Sequence, residues 1–382
     1  MKNNKTIFKS FLQGGFECTY AKTLDEERMD ILSATKHDEY CINDYRLLKD
    51  LDIYTVREGL SWFQIHESKN RFNFSKFEKI LKIGKEENMQ QIWDLNHFDF
   101  PEFLDPFSED FIKNFVEYSK RAVEVIRKYI DTTIFIVPIN EISFFSWVSA
   151  DIGGWAPYKI NEGVKFKKQL VKASIAAMNA LWNIDKNIRF IQVDPILRRV
   201  VNPDMEISKE MEIDFFNKKF EAWDMLVGKS YPELGGEPKY LDICGVNYYY
   251  YNQQYIVKSI TSEVTYPIMD WDDKNRISFK DMLNEVYNRY NRPILITETG
   301  AWGDLRVKWW KRTFKEVVQA INFNIPILGM CSYPIIDRRD WTDKHLTNSG
   351  FWDFKEDDSK LTRFPDNKTI DIIKELKQTY ML

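Results

Sequence analysis

Eight short apolar runs recur along this chain, most of them separated by a stretch with helical spacing. The runs are Phe11–Cys18, Ile53–Glu58, Gln90–Asn96, Thr133–Asn140, Ile188–Val193, Asp242–Tyr248, Pro293–Thr297 and Ile327–Tyr333. Apolar residues follow one another within them instead of alternating with polar ones, as in strands covered on both faces. Helices are predicted over Asp38–Asp50, Lys76–Glu87, Asp110–Ile130, Val164–Trp182, Lys280–Tyr290, Asp304–Asn322 and Thr369–Thr379. The less regular stretch Asn202–Lys239 is read as one helix, Ile207–Trp223, and a loop around Gly235-Gly236. Alternating strands and helices build a parallel sheet with helices over it, and eight repeats close it into a barrel. A chain of 382 residues fits one such barrel with insertions. No Ser/Gly linker, low-complexity tract or internal repeat marks a boundary. Residues 1–382 are therefore read as a single α/β domain, a (β/α)8 TIM barrel.

Composition narrows the function. Net charge is −4, so there is no basic surplus to neutralise a phosphate backbone, and nucleic acid is excluded as a partner. No apolar stretch is long enough for a membrane span, and no apolar run follows the polar start Met1–Thr6, so no signal peptide is read. The four cysteines, Cys18, Cys41, Cys244 and Cys331, form no CxxC pair. They are read as small buried hydrophobes in a reducing, cytoplasmic setting. The four histidines are scattered, without metal-ligand spacing.

Two glutamates stand out at strand ends. Glu141 closes the run from Thr133, and Glu298 closes Pro293–Glu298 before Thr299-Gly300 turns the chain away. A carboxylate at the end of a buried strand is costly to desolvate, so it needs a chemical reason. Two of them suggest the acid and the nucleophile of a glycoside hydrolase. In a barrel of this kind, catalytic groups collect at the carboxyl ends of the strands. Read in order, those ends supply Arg57-Glu58, Asn96-His97, Asn140-Glu141, Asn247 with Tyr248 to Tyr251, Glu298, and Tyr333 followed by Asp337, Arg338, Arg339, Asp340 and Trp341. A single charged residue there is explained by an ion pair; the whole set on one rim is not.

These residues resemble glycoside hydrolase family 1, a family of retaining (β/α)8 glycosidases. Its Asn-Glu-Pro and Ile-Thr-Glu-Asn-Gly motifs are similar to Asn140-Glu141-Ile142 and Ile296-Thr297-Glu298-Thr299-Gly300. Its strand-two Arg and Trp fall on Arg57 and Trp62, and its strand-three motif on His97-Phe98-Asp99-Phe100-Pro101. Its Asn-Tyr-Tyr falls on Asn247-Tyr248-Tyr249, and the spacing of its strand-eight motif on Tyr333 to Trp341. The sequence departs from the family at substrate contacts. The strand-one Gln falls on Ala21, with Gln13 and Glu17 as candidate replacements. A glutamate becomes Asp340, and a platform Trp becomes Tyr333.

The resemblance implies a retaining β-glycosidase for a small β-linked glycoside, without metal or organic cofactor. It makes Glu298 the nucleophile and Glu141 the acid/base. Arg57 and Tyr249 would keep Glu298 ionised, while burial and the charge of Glu298 would raise Glu141. Asn140 would bind the sugar 2-hydroxyl; His97, Asn247, Tyr333, Asp340 and Trp341 complete the expected sugar-binding set. Transglycosylation and a non-catalytic sugar-binding barrel are the alternatives. Arg338 and Arg339 are read as ion-pairing with Asp337 and Asp340; the sharper reading makes them ligands of an anionic substrate, a sugar phosphate or uronide.

Overall fold

The eight apolar runs supply eight parallel strands: β1 (Leu12–Gly15), β2 (Thr55–Gly59), β3 (Gln90–Asp94), β4 (Ile134–Val137), β5 (Ile188–Pro195), β6 (Ile243–Asn247), β7 (Ile294–Thr299) and β8 (Ile327–Ser332). They close into a barrel in which each strand pairs with its neighbours in sequence and β1 pairs with both β2 and β8. The computed structural model describes residues 7–25, 28–202, 217–258, 264–355 and 357–380.

The principal helices are α1 (His37–Lys49), α2 (Ser75–Glu86), α3 (Glu109–Arg127), α4 (Gly163–Ile184), α5 (Glu221–Leu226), α6 (Phe279–Tyr290), α7 (Leu305–Asn322) and α8 (Asn367–Tyr380). Serine hydroxyls start two of them: Ser108 accepts from the Phe111 amide and Ser278 from the Asp281 amide, each satisfying a donor that the first turn leaves open. On α7, Trp310, Phe314, Val317 and Val318 recur at helical spacing and are all buried, which presses that face onto the strands. Of the expected helix Ile207–Trp223, residues 207–216 lie outside the described residues; α5 carries its end three residues further, to Leu226. Among the described residues, no helix is long and apolar enough to cross a membrane.

Two strands, β1 and β4, stop three residues before their apolar runs end. β4 stops at Val137, where Pro138 has no N–H to give to the ladder. Asn140 and Glu141 are instead held singly, through their amides, by the carbonyls of Asn96 and Val193. β1 ends at Gly15, and the chain beyond it turns into a small hairpin, Tyr20–Lys22 with Arg28–Asp30.

The barrel interior changes character along its axis. Phe8, Ile92, Phe135, Val137, Ile191, Val193, Ile243 and Leu295 form one apolar cluster. Towards the strands' carboxyl ends the buried positions become Arg57, Asp94, Asn140, Asn247 and Glu298. Apolar filling there gives way to charge, the distribution expected when that end carries the chemistry.

Candidate active site

Arg57, from β2, is the hub of the polar cluster. Its Nε and Nη2 donate to the two Asp94 carboxylate oxygens at 3.0 and 2.6 Å. Nη2 also donates to Asn140 Oδ1 at 2.7 Å, and Nη1 to Glu298 Oε1 at 2.7 Å. Nη1 also donates to the Thr297 carbonyl at 3.2 Å, and the fork geometry of a guanidinium is what lets one side chain serve a bidentate carboxylate and three further acceptors. Its neighbour in β2, Glu58, points the other way, as strand alternation requires. It accepts from Tyr45 at 2.7 Å and lies 3.1 Å from His37 Nε2 on α1.

Glu298 is the more tightly held of the two glutamates. Tyr249 donates its phenol to Glu298 Oε2 at 2.8 Å, so both carboxylate oxygens have a partner. Burial raises its pKa, and the Arg57 cation is the strongest influence pulling it back. Arg57 and Tyr249 were expected to keep this carboxylate ionised; both do favour the charged form, but burial is the larger influence and the net shift is upward.

Glu141 has a different environment. It sits just past β4 with φ at 43°, a left-handed conformation that costs energy for a residue with a Cβ. Among the described contacts its carboxylate accepts one hydrogen bond, from Asn247 Nδ2 at 2.8 Å. Asn247 is oriented in turn by Thr297, whose hydroxyl donates to its Oδ1 at 2.7 Å. Burial first, and then the negative charge of Glu298, push Glu141 up to about 8.

Both glutamates line one cavity of about 690 Å³ at the carboxyl ends of the strands. His97, Asn140, Tyr249, Tyr333 and Trp341 line it with them. His97 Nδ1 lies 2.9 Å from Asp94 Oδ2, and its ring stacks towards Tyr333 with centroids 6.1 Å apart. Asn247 lies beneath Glu141 in the wall. A π-helical turn, Trp147–Asp151, follows the short helix after Glu141 and brings Trp147 to the cavity, with 43% of its surface exposed.

Asp340 does not line this cavity. Its Oδ1 accepts from the amide and the hydroxyl of Thr342, at 2.8 and 2.6 Å, so it braces its own loop. The carboxylate that does reach the cavity is Glu17, just after β1. It is buried, accepts from Thr19, lies 3.8 Å from His97 Nε2 and pairs with Arg338 Nε at 3.5 Å. Of the two candidates for the strand-one glutamine, Glu17 is therefore in the cavity and Gln13 is buried inside the wall. The expected partners of Arg338 also differ. Asp337 accepts from Thr347 and Ser349, and Arg338 pairs with Glu17 instead. Arg339 Nη1 donates to the Lys344 carbonyl, away from the cavity.

Asp94 is the buried residue that reading strand ends missed. It lies within the run Gln90–Asn96, and the signal that singled out the glutamates, an ionisable group in a buried strand, applies to it equally. Cys18, Asp94 and His97 also place three possible metal-ligand atoms within 4.8 Å of one another. Asp94 already receives Arg57 on both oxygens and faces His97, so the group reads as a hydrogen-bonded cluster.

The closed barrel thus carries two glutamates at its carboxyl rim, Glu298 buried and Glu141 half-buried. No protein-family model matches the sequence, and no curated protein is similar to it. Solved structures match across nearly the whole chain. A β-glucosidase from Thermotoga maritima in complex with glucoimidazole is 17% identical with a TM-score of 0.80, covering 98% of this chain and 99% of that one. A family 1 β-glucosidase from the same organism is 17% identical with a TM-score of 0.77, covering 93% and 89%. A β-glycosidase from Pyrococcus horikoshii is 17% identical with a TM-score of 0.76, covering 98% and 97%. The chain has the fold of these β-glycosidases.

Proposed function

We propose that this protein is a retaining β-glycosidase, a divergent member of glycoside hydrolase family 1, acting on a small β-linked glycoside. One observation carries the reading: two glutamates share a cavity but have opposite surroundings. Glu298 is tied to a cation and a phenol, whereas Glu141 among the described residues accepts from the neutral Asn247 and is pushed up to about 8. Such a difference is how one site keeps a nucleophile and an acid at the same pH.

The steps follow from these positions. Glu298 attacks the anomeric carbon as the bond to the leaving oxygen breaks, and Glu141 gives that oxygen its proton. Water then attacks the same carbon, Glu141 takes the water's proton, and Glu298 departs. A sugar hydroxyl in place of water makes the step a transglycosylation. Asn140, held by Arg57, is positioned as a partner for the sugar 2-hydroxyl. Among the described residues Trp341 Nε1 has no hydrogen-bond partner, on a side chain that lines the cavity, which suits a donor kept for substrate. The four unpaired, buried cysteines suit a reducing compartment, and we place the protein in the cytoplasm as one catalytic domain.

A panel of aryl β-glycosides tests the reaction. Glu141→Ala loses roughly 10²–10⁴-fold on poor leaving groups and far less on activated ones, because only the former need the proton. A 2-deoxy-2-fluoro glycoside with a good leaving group labels the peptide carrying Glu298. No turnover across the panel and no adduct would leave a sugar-binding barrel instead.

A further inference from the structure

The two walls of the cavity differ in charge balance, and the barrel order sets them apart. Strands β1 and β5 lie four places from each other around the eight-stranded ring, on opposite sides. On the β1 and β8 side, the Arg338 cation is matched by Glu17. On the other side, Arg198 and Arg199 follow β5 and line the cavity. They belong to a short strand, Arg198–Val201, paired with Gln253–Lys258.

Neither arginine has a carboxylate partner among the described residues. Arg198 Nε donates to the Asn275 carbonyl at 3.4 Å. Arg199 Nε donates to Gln254 Oε1 at 3.1 Å, and its guanidinium lies over the Tyr266 ring, 4.0 Å from the centroid. Arg199 is thus fixed in place by neutral groups. Burial lowers its pKa, and no acid beside it compensates. Two lysines on this wall do not share that deficit: Lys167 pairs with Glu221 at 2.6 Å and Lys219 with Glu285 at 2.5 Å. A guanidinium fork held at a cavity wall by neutral acceptors is a binding element for a carboxylate or phosphate.

We propose that Arg198 and Arg199 bind an anionic group on the leaving part of the substrate, a carboxylate, sulfate or phosphate on the aglycone. This rests on the glycosidase reading, which puts the aglycone on the side of Glu141, the acid that protonates it. Glu141 itself is held from β5, through its amide to the Val193 carbonyl, the strand that leads to these arginines. The anion and the leaving oxygen would then sit on the same side of the bond that breaks.

Two measurements test this. The first compares hydrolysis of 3-carboxyphenyl and 3-carbamoylphenyl β-glycosides of whichever sugar the protein turns over. Parent kcat/KM favours the carboxylate about tenfold or more, the size of one to two charged hydrogen bonds. That ratio falls towards one in R198Q/R199Q and is partly kept in R199K, which retains the charge. The second is calorimetric binding of 3-hydroxybenzoate against 3-hydroxybenzamide, which needs no turnover. Preference for the benzoate in the parent, lost in R198Q and in R199Q, supports the site even if no aryl glycoside is cleaved. Equal binding of the two by the parent, or a preference that survives in R198Q/R199Q, overturns it. Failure of the glycosidase reading shows separately, as absence of turnover on the neutral panel.

Discussion

Glu141 and Glu298 divide their roles through what surrounds each carboxyl group. Glu141 must hold a proton to act as an acid, and burial together with the charge on Glu298 raises it to about 8. The acid form is therefore present below that pH and lost above it. Glu298 must be ionised to attack; burial raises it above its usual 4.5 while Arg57 and His97 pull it back. The expected kcat/KM profile is a bell whose basic limb lies near 8, with both limbs belonging to the coupled pair. A profile flat through pH 9 would remove Glu141 from the acid role. The same shift has a stability consequence. A carboxyl group whose folded pKa is raised binds its proton more tightly when folded, so its contribution is lost as pH rises from about 4.5 towards 8. At pH 7 this costs at most about 3 kcal/mol, and less because the cavity face of Glu141 remains partly solvated. Glu141→Gln is expected to raise Tm by a few degrees at pH 7.5 while abolishing turnover of poor leaving groups, with no gain at pH 4.5. Thermal melts at the two pH values check it.

At the scale of elements, Arg57 joins four parts of the barrel rim. It starts on β2 and reaches Asp94 on β3, Asn140 beyond β4, and Thr297 and Glu298 on β7. Removing the cation takes the guanidinium from two buried carboxylates, leaving Asp94 with His97 and Glu298 with the Tyr249 phenol, so Arg57→Ala should cost roughly 3–5 kcal/mol in a urea titration. Arg57→Lys keeps the charge but loses the fork. It should cost less and move the acid limb of the pH profile upward, because Glu298 loses its closest cation contact. An acid limb that stays where it is would show that Arg57 does not hold Glu298. Much of this rim was legible in the chain, because covered parallel strands read as unbroken apolar runs and a charged residue at the end of one is conspicuous. Arg57, Asn140, Glu141 and Glu298 were found that way. Asp94 was hidden inside such a run. The end of β4 was misplaced because Ile139 continues the apolar pattern after Pro138 has already broken the ladder. Asp340 followed motif spacing, but a carboxylate one methylene shorter is satisfied locally by Thr342. Arg198 and Arg199 lie past a strand end with no periodicity, and only the barrel order brings them to the cavity.

Over the whole molecule, several buried groups respond to pH with one sign. Burial pushes Asp99 and Asp194 up to about 6, as it helps push Glu141 up to about 8. Away from the cavity, Arg363, close to the last helix, donates Nε and Nη2 to Asp44 of α1 at 2.8 and 2.9 Å. Asp44 lies 2.8 Å from His37 Nδ1, and His37 Nε2 lies 3.1 Å from Glu58 of β2. The chain's last segment is thereby clipped to α1 and the barrel wall. Burial works against a charged His37, but Glu58 and Asp44 outweigh it and hold the ring well above its usual 6.5. The stability from His37 is therefore complete below pH 6.5 and is lost as pH rises through its folded value. His66, pushed down by burial, acts with the opposite sign, but only as pH falls below 6.5. From pH 6 to 9, Glu141 and His37 therefore pull stability the same way, and Tm should fall by on the order of 5 °C. His37→Gln starts from a lower Tm, because it weakens the clip between Asp44 and Glu58, yet its curve should be flatter above pH 6.5. Glu141→Gln should flatten the curve below pH 8. The two flattenings should add, since the two sites share no hydrogen-bond partner among the described residues. If the His37→Gln curve keeps the parent's slope, the buried clip carries no proton between pH 6 and 9, and the pH response of the fold lies in the cavity alone.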